Sequence, residues 1–147
     1  MLKNRVQSEM KAAMKSGDKR RLGTIRLILA AVKQREVDER IELDDTQVLV
    51  VLDKMVKQRK DSIEQFEKAE RADLAEQEAF EIGVLKEFLP EAMSEAEVTK
   101  LVNEAIESSG AASIRDMGKV MGQLKPKLQG RADMGMVSAL VKKQIVG

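Results

Sequence analysis

From Leu2 to Ile145 the apolar residues recur every three or four positions, and no long stretch alternates apolar with polar. That period puts side chains on one stripe of an α-helix, whereas a half-buried strand needs a period of two. Leu2, Val6, Met10 and Met14 step by four and end near Gly17. Asp18 is placed to cap a second helix whose ridge is Leu22, Ile25, Leu29 and Val32. Leu27, Ile28 and Ala31 broaden that ridge, so burial is expected around much of the helix. An acidic link, Ile41 to Asp45, leads into a long third helix with Val48, Leu52, Met55, Val56, Arg59, Ile63 and Phe66 on its inner face. Its outer face carries Asp53–Lys57, Lys57–Asp61, Lys60–Glu64 and Glu64–Lys68 at i,i+4, the pattern of a solvated surface. A fourth helix runs from about Asp73 to Phe88.

Leu89-Pro90 ends that run, because proline excludes the helical conformation from its predecessor and lacks an amide donor. Ser94 with Glu97 predicts a capping box for a fifth helix, with Val98, Leu101, Val102, Ala105 and Ile106 inward and Gly110 closing it. A sixth helix is expected from Ile114 to about Leu124, then a loop holding Lys125, Pro126, Lys127 and Gly130. Asp133 would cap a last helix with Val137, Leu140, Val141 and Ile145 inside. The expected architecture is all-α: an N-terminal four-helix domain over 1–90 and a C-terminal three-helix domain over 91–147.

The sixth helix holds an anomaly. Ser113 with Asp116 predicts its start, and Met117, Val120, Met121 and Leu124 mark its buried face. Gly118 and Gly122 then fall on the opposite side, beside Arg115 and Lys119. An exposed helical glycine costs about 1 kcal/mol relative to alanine. Two explanations compete: a large anion approaching the bare backbone, or another helix of this protein crossing closely. The first makes Arg115, Gly118, Lys119, Gly122, Lys125, Lys127 and Arg131 candidate nucleic-acid contacts, where the cations would hold phosphates without reading bases.

Charge is strongly segregated along the chain. A net charge of +1 conceals +8 over residues 1–35, −8 over 36–90, −4 over 91–110 and +5 over 111–147. Either acidic and basic helices pack beside one another, or two basic surfaces address one polyanion. Lys19, Arg26, Lys33 and Arg40 recur every seven residues along the second helix. They are expected chiefly to snorkel and pair with the acidic third or fourth helix. Lys19, Arg26 and Lys33 otherwise form a second basic surface.

Several chemistries lack their residues. The chain has no histidine or cysteine, so the commonest general base and all thiolate chemistry are missing. Asp44 and Asp45 precede Thr46 as helix-capping acids, a better reading than a metal site. Ser108 and Ser109 have no basic partner in sequence, and Met117 and Met121 sit at core spacing. Only Phe66, Phe80 and Phe88 are aromatic, too few to stack on splayed single-stranded bases. No apolar run nears the ~20 residues of a membrane span. The N-terminal MLKNRVQSEMKAAMKSG has no apolar signal region, so a cytoplasmic location is expected.

The strings Asp116-Met117-Gly118-Lys119-Val120-Met121-Gly122 and Lys127-Leu128-Gln129-Gly130-Arg131-Ala132-Asp133 resemble the GatB/YqeY domain. That module is the tail of the B subunit of the tRNA-dependent amidotransferase. Upstream, Thr24-Ile25-Arg26-Leu27-Ile28 with Lys33, and Ser62-Ile63-Glu64-Gln65-Phe66 with Arg71, Asp73 and Leu74, are similar to the free-standing YqeY proteins, as is Leu89-Pro90. The resemblance covers essentially the whole chain. It implies two helical domains and tRNA as partner, with chemistry done elsewhere. It also implies an association with carbon–nitrogen ligases that use glutamine as amide donor. The chain has no serine-rich amidase stretch and no phosphate-cradling loop, so no catalytic residue, metal or cofactor is implied. Three roles follow: a tRNA-binding accessory protein, an amidotransferase component active only with partner subunits, or a module docking on an amidotransferase subunit or aminoacyl-tRNA synthetase.

Overall fold

The computed structural model describes residues 1–146. Among them lie seven α-helices and no strand: α1 (Leu2–Ser16), α2 (Lys19–Glu39), α3 (Asp45–Lys68), α4 (Ala72–Glu87), α5 (Glu95–Ser109), α6 (Met117–Leu128) and α7 (Met134–Val146). The chain divides into two compact units, Met1–Pro90 and Glu91–Gly147.

In residues 1–90 the helices form two hairpins. Gly17, at φ 75°, turns α1 into α2, a left-handed conformation that glycine adopts without steric cost. The Asp18 carboxylate caps α2 by accepting from the Arg21 amide at 3.1 Å. Asp44 and Gln47 close a reciprocal capping box on α3, at 2.8 and 2.9 Å. Asp45, beside it, accepts from the Leu2 amide at 2.8 Å and so ties the start of α1 to the start of α3. Ile25, Ile28, Val48, Leu52 and Leu85 are fully buried where the four helices meet.

One expectation about α2 needs correction. Ile28 is buried, but Leu27 is 45 % exposed, because it lies some 100° further round the helix. The buried arc of α2 is therefore narrower than its apolar content suggests.

In residues 91–147, Val98 and Val102 of α5, Val120, Leu124 and Leu128 of α6, and Val137 and Val141 of α7 form the core. Ser94 caps α5, its hydroxyl accepting from the Glu97 amide at 3.2 Å, and Gly110 ends it at φ 68°. Asp133 accepts from the Gly135 amide at 2.9 Å at the start of α7.

Both ends of α6 differ from the expectation. Residues 114–116 form a 3-10 turn, and Ser113 makes no side-chain cap. The Asp116 carboxylate instead folds back onto the Ala112 amide at 3.0 Å, tightening the entry so that α6 begins at Met117. At the far end, α6 continues through Pro126 to Leu128. Val120, Leu124 and Leu128 are each one turn apart and essentially fully buried, so core packing carries the helix past a residue that opposes it.

Candidate functional site

On the outward side of α6, Gly118, Gly122 and Pro126 succeed one another at intervals of one turn. All three are exposed, and none bears a long side chain. A Cβ placed on Gly118 or Gly122 would meet no heavy atom within 4 Å. Within residues 91–146, no other helix packs close against these glycines. Pro126, without an amide hydrogen, has nothing to donate to the Gly122 carbonyl one turn before it.

Lysines flank this bare ridge. At about 100° per residue, Lys119 lies on one side of it and Lys125 on the other, with Lys127 further round toward the core. All three are exposed. Arg115 is also exposed, but it stands in the 3-10 turn ahead of α6 rather than one turn before Lys119 on a continuous helix. Among the described residues, none of these four cations forms an ion pair, and no ion pair of any kind lies in residues 91–146. Asp116 is the nearest acid in sequence. The Ala112 amide chiefly holds its carboxyl below the usual carboxylate range, and the Ser113 amide and Lys119 add to this against a desolvation cost.

Arg131 has a different position from the lysines. Its Nε donates to the Glu91 carbonyl at 3.0 Å, and its own carbonyl accepts from the Met93 amide at 2.8 Å. It fastens the segment before α5 to the loop before α7. Half-buried there, it belongs to the scaffold rather than to the exposed basic face.

The expected pairing of the α2 stripe with acidic helices is not what the structure shows. Lys19, Arg26 and Lys33 are exposed, and among the described residues none makes an ion pair. Arg40 has left the stripe: it ends α2 in a left-handed conformation at φ 56°. The cations of α2 that reach α4 are the neighbours Arg20 and Arg21. Arg20 bonds Glu76 at 2.6 Å and stacks 3.9 Å over the Phe80 ring. Arg21 bridges Glu9 of α1, at 3.1 Å, and Glu87 of α4. A seven-residue period drifts slowly around a helix, so one step decides whether a basic side chain meets a neighbour or solvent.

Arg59, noted above on the inner face of α3, pairs with Glu81 of α4 at 3.1 Å, both side chains below 15 % exposed. Burial raises the nearby Glu78 carboxyl above its ordinary range, and the Glu81 charge raises it further, against the pull of Arg59. Among the described residues, no three His, Cys, Asp or Glu side chains converge as metal ligands, and no helix is long and apolar enough to cross a membrane.

The family model described as Yqey-like protein matches residues 3–145. The chain belongs to the YqeY-like family. Relatives of this YqeY-like protein include three proteins named "Altered inheritance of mitochondria protein 41, mitochondrial". That of Lachancea thermotolerans is 32 % identical over 146 residues, covering 95 % of this chain and 78 % of the relative. That of Pyrenophora tritici-repentis is 33 % identical over 146 residues, covering 97 % and 80 %. The Kluyveromyces lactis protein of the same name is 35 % identical over 123 residues, covering 78 % and 66 %. These names overturn the cytoplasmic expectation, since all three relatives are designated mitochondrial.

Proposed function

We propose that this protein is an accessory factor that holds tRNA against the outward face of α6 while other proteins do the chemistry. The observation that carries this reading is the bare Gly118–Gly122–Pro126 ridge between unpaired lysines. Phosphates fit such a surface: lysines supply charge, and glycines let a bulky backbone approach without a Cβ in the way. Three phenylalanines in 147 residues favour recognition of a folded RNA's shape and phosphates over stacking on single-stranded bases. The similarity of this segment to the amidotransferase tail supplies tRNA as the RNA to test first.

Two sets of variants test the reading together. Replacing Lys119 and Lys125 by glutamate is expected to weaken binding of total tRNA at least tenfold, and to lower the slope of log affinity against log salt by about two. Replacing Gly118 and Gly122 by alanine is expected to stabilise the fold, by up to about 1 kcal/mol each, while weakening tRNA binding. Absence of tRNA binding at low salt, or affinity unchanged by both sets, rules the proposal out.

A further inference from the structure

We propose that the groove between α1 and α2 receives an acidic amphipathic helix of a partner protein. The groove is open, has a volume of about 420 Å³, and includes Met10 and Leu29 among its apolar lining. Both residues pack partly against the core of residues 1–90 and remain half-exposed on the groove side. Met14, one turn beyond Met10 on the same side of α1, is 54 % exposed. Two helices thus offer a slot with an apolar floor and no third helix in it, the geometry by which an amphipathic helix is bound through anchors at i, i+3 or i+4, and i+7.

The charges around the groove specify the occupant. Lys3 and Glu36 satisfy one another at 2.8 Å at one end of the groove. Glu9, the one acid of α1, is held by Arg21 of α2. Lys11 and Lys33 line the groove, and Arg26 stands seven residues before Lys33 on the same side of α2. All three are exposed, and among the described residues none has an ion-pair partner. A ligand that fits must therefore bring carboxylates to the rim and apolar side chains to the floor. A second copy presenting the same face would set lysine against lysine. A nucleic acid would satisfy the lysines, but it would lay phosphates over Met10, Met14 and Leu29. An acidic helix with a leucine seam satisfies both requirements.

The test uses the full chain and a fluorescent synthetic peptide of about five helical turns, with a leucine seam flanked by glutamates. Saturable binding with gain of helix is expected. Lys11→Glu with Lys33→Glu is expected to weaken it at least tenfold, and Lys11→Glu alone, which leaves the Lys33 charge beside Glu36 in place, several-fold with an unchanged melting curve. A peptide with lysines in place of its glutamates should bind that double variant and not the parent chain. Met10→Ser should weaken binding several-fold with the lysines intact. No binding of the acidic peptide, equal binding of a version with serine for leucine, or failure of the charge swap overturns the proposal. So does displacement of the peptide by an RNA duplex whose own binding requires Lys11 and Lys33, which would make the groove an RNA site. A dimer that dissociates on the Lys11 and Lys33 reversals would assign it instead to a second copy.

Discussion

In residues 1–90 the charged side chains reach across helix interfaces: Arg21 joins α1 to α4 through α2, Arg20 joins α2 to α4, and Arg59 joins α3 to α4. In residues 91–146 no such bridge exists among the described residues, and three helices are held by valine, leucine and alanine. The segment 91–110 is acidic and 111–147 basic, so opposite charges were available to pair there. They stand exposed instead, save the half-buried Arg131 and Asp116. A unit that leaves its cations solvated depends more heavily on its apolar core. In residues 1–90 one helix carries both kinds of cation: on α2, Arg20 and Arg21 pair with acids of α4, while Arg26 and Lys33 are exposed and form no ion pair among the described residues.

The sharpest way to break this contrast is to damage the apolar core that lacks ionic support. Leu124 is 1 % exposed at the centre of residues 91–147. Leu124→Ala is expected to cost about 3 kcal/mol, from lost transfer energy plus the cavity left behind. Hydrogen exchange should show protection falling across α5, α6 and α7 while the amides of α2 and α3 keep theirs. An equal loss in all seven helices would mean that the two units unfold as one, and the comparison would fail.

The next largest effect tests the ionic side. Arg59→Met leaves Glu81, and the neighbouring Glu78, facing the α3–α4 interface without a cation. Removing one partner of a largely buried pair is expensive because the other charge stays desolvated, so a loss of about 2 kcal/mol in urea unfolding is expected. Adding Glu81→Leu to Arg59→Met should recover most of it. If the double variant is no better than the single one, the pair stabilises by more than it costs to bury.

Much of this was legible in the residues and some was not. Helix number and type follow from period, the starts of α2 and α5 from the capping residues Asp18 and Ser94, and that of α3 from the acidic pair Asp44 and Asp45, of which Asp44 is the cap. Such bonds are local, so a few residues contain the whole interaction. The ends of α6 were misjudged because Asp116 reaches back to Ala112, and because burial of Leu128 overrides Pro126. The exposed positions of Gly118, Gly122 and Lys119 were legible from the angle per residue. The scaffold role of Arg131 was not, since its partner, the Glu91 carbonyl, is forty residues away and carries no sequence mark. Pairing of charges was the least legible property: Arg20, Arg26 and Lys33 look alike in sequence, and only Arg20 has an acid opposite it.

The smallest expected effect separates the units by pH. Asp116 has a folded-state pKa below its unfolded value, chiefly through the Ala112 amide. Its stabilisation is present above the unfolded pKa and is lost as pH falls through the folded one. Glu78 has the opposite sign: burial raises its folded-state pKa, so the penalty for keeping it charged is present at neutral pH and relieved as pH falls through that raised value. Asp116→Asn should therefore destabilise residues 91–147 at neutral pH and remove part of their acid sensitivity. Glu78→Gln should raise the stability of residues 1–90 at neutral pH and lose that advantage in acid, where the parent Glu78 is protonated. Thermal melts of the two variants across the carboxylate range check both signs at once. The same sign in both would show that net charge, rather than these two local environments, governs the acid response.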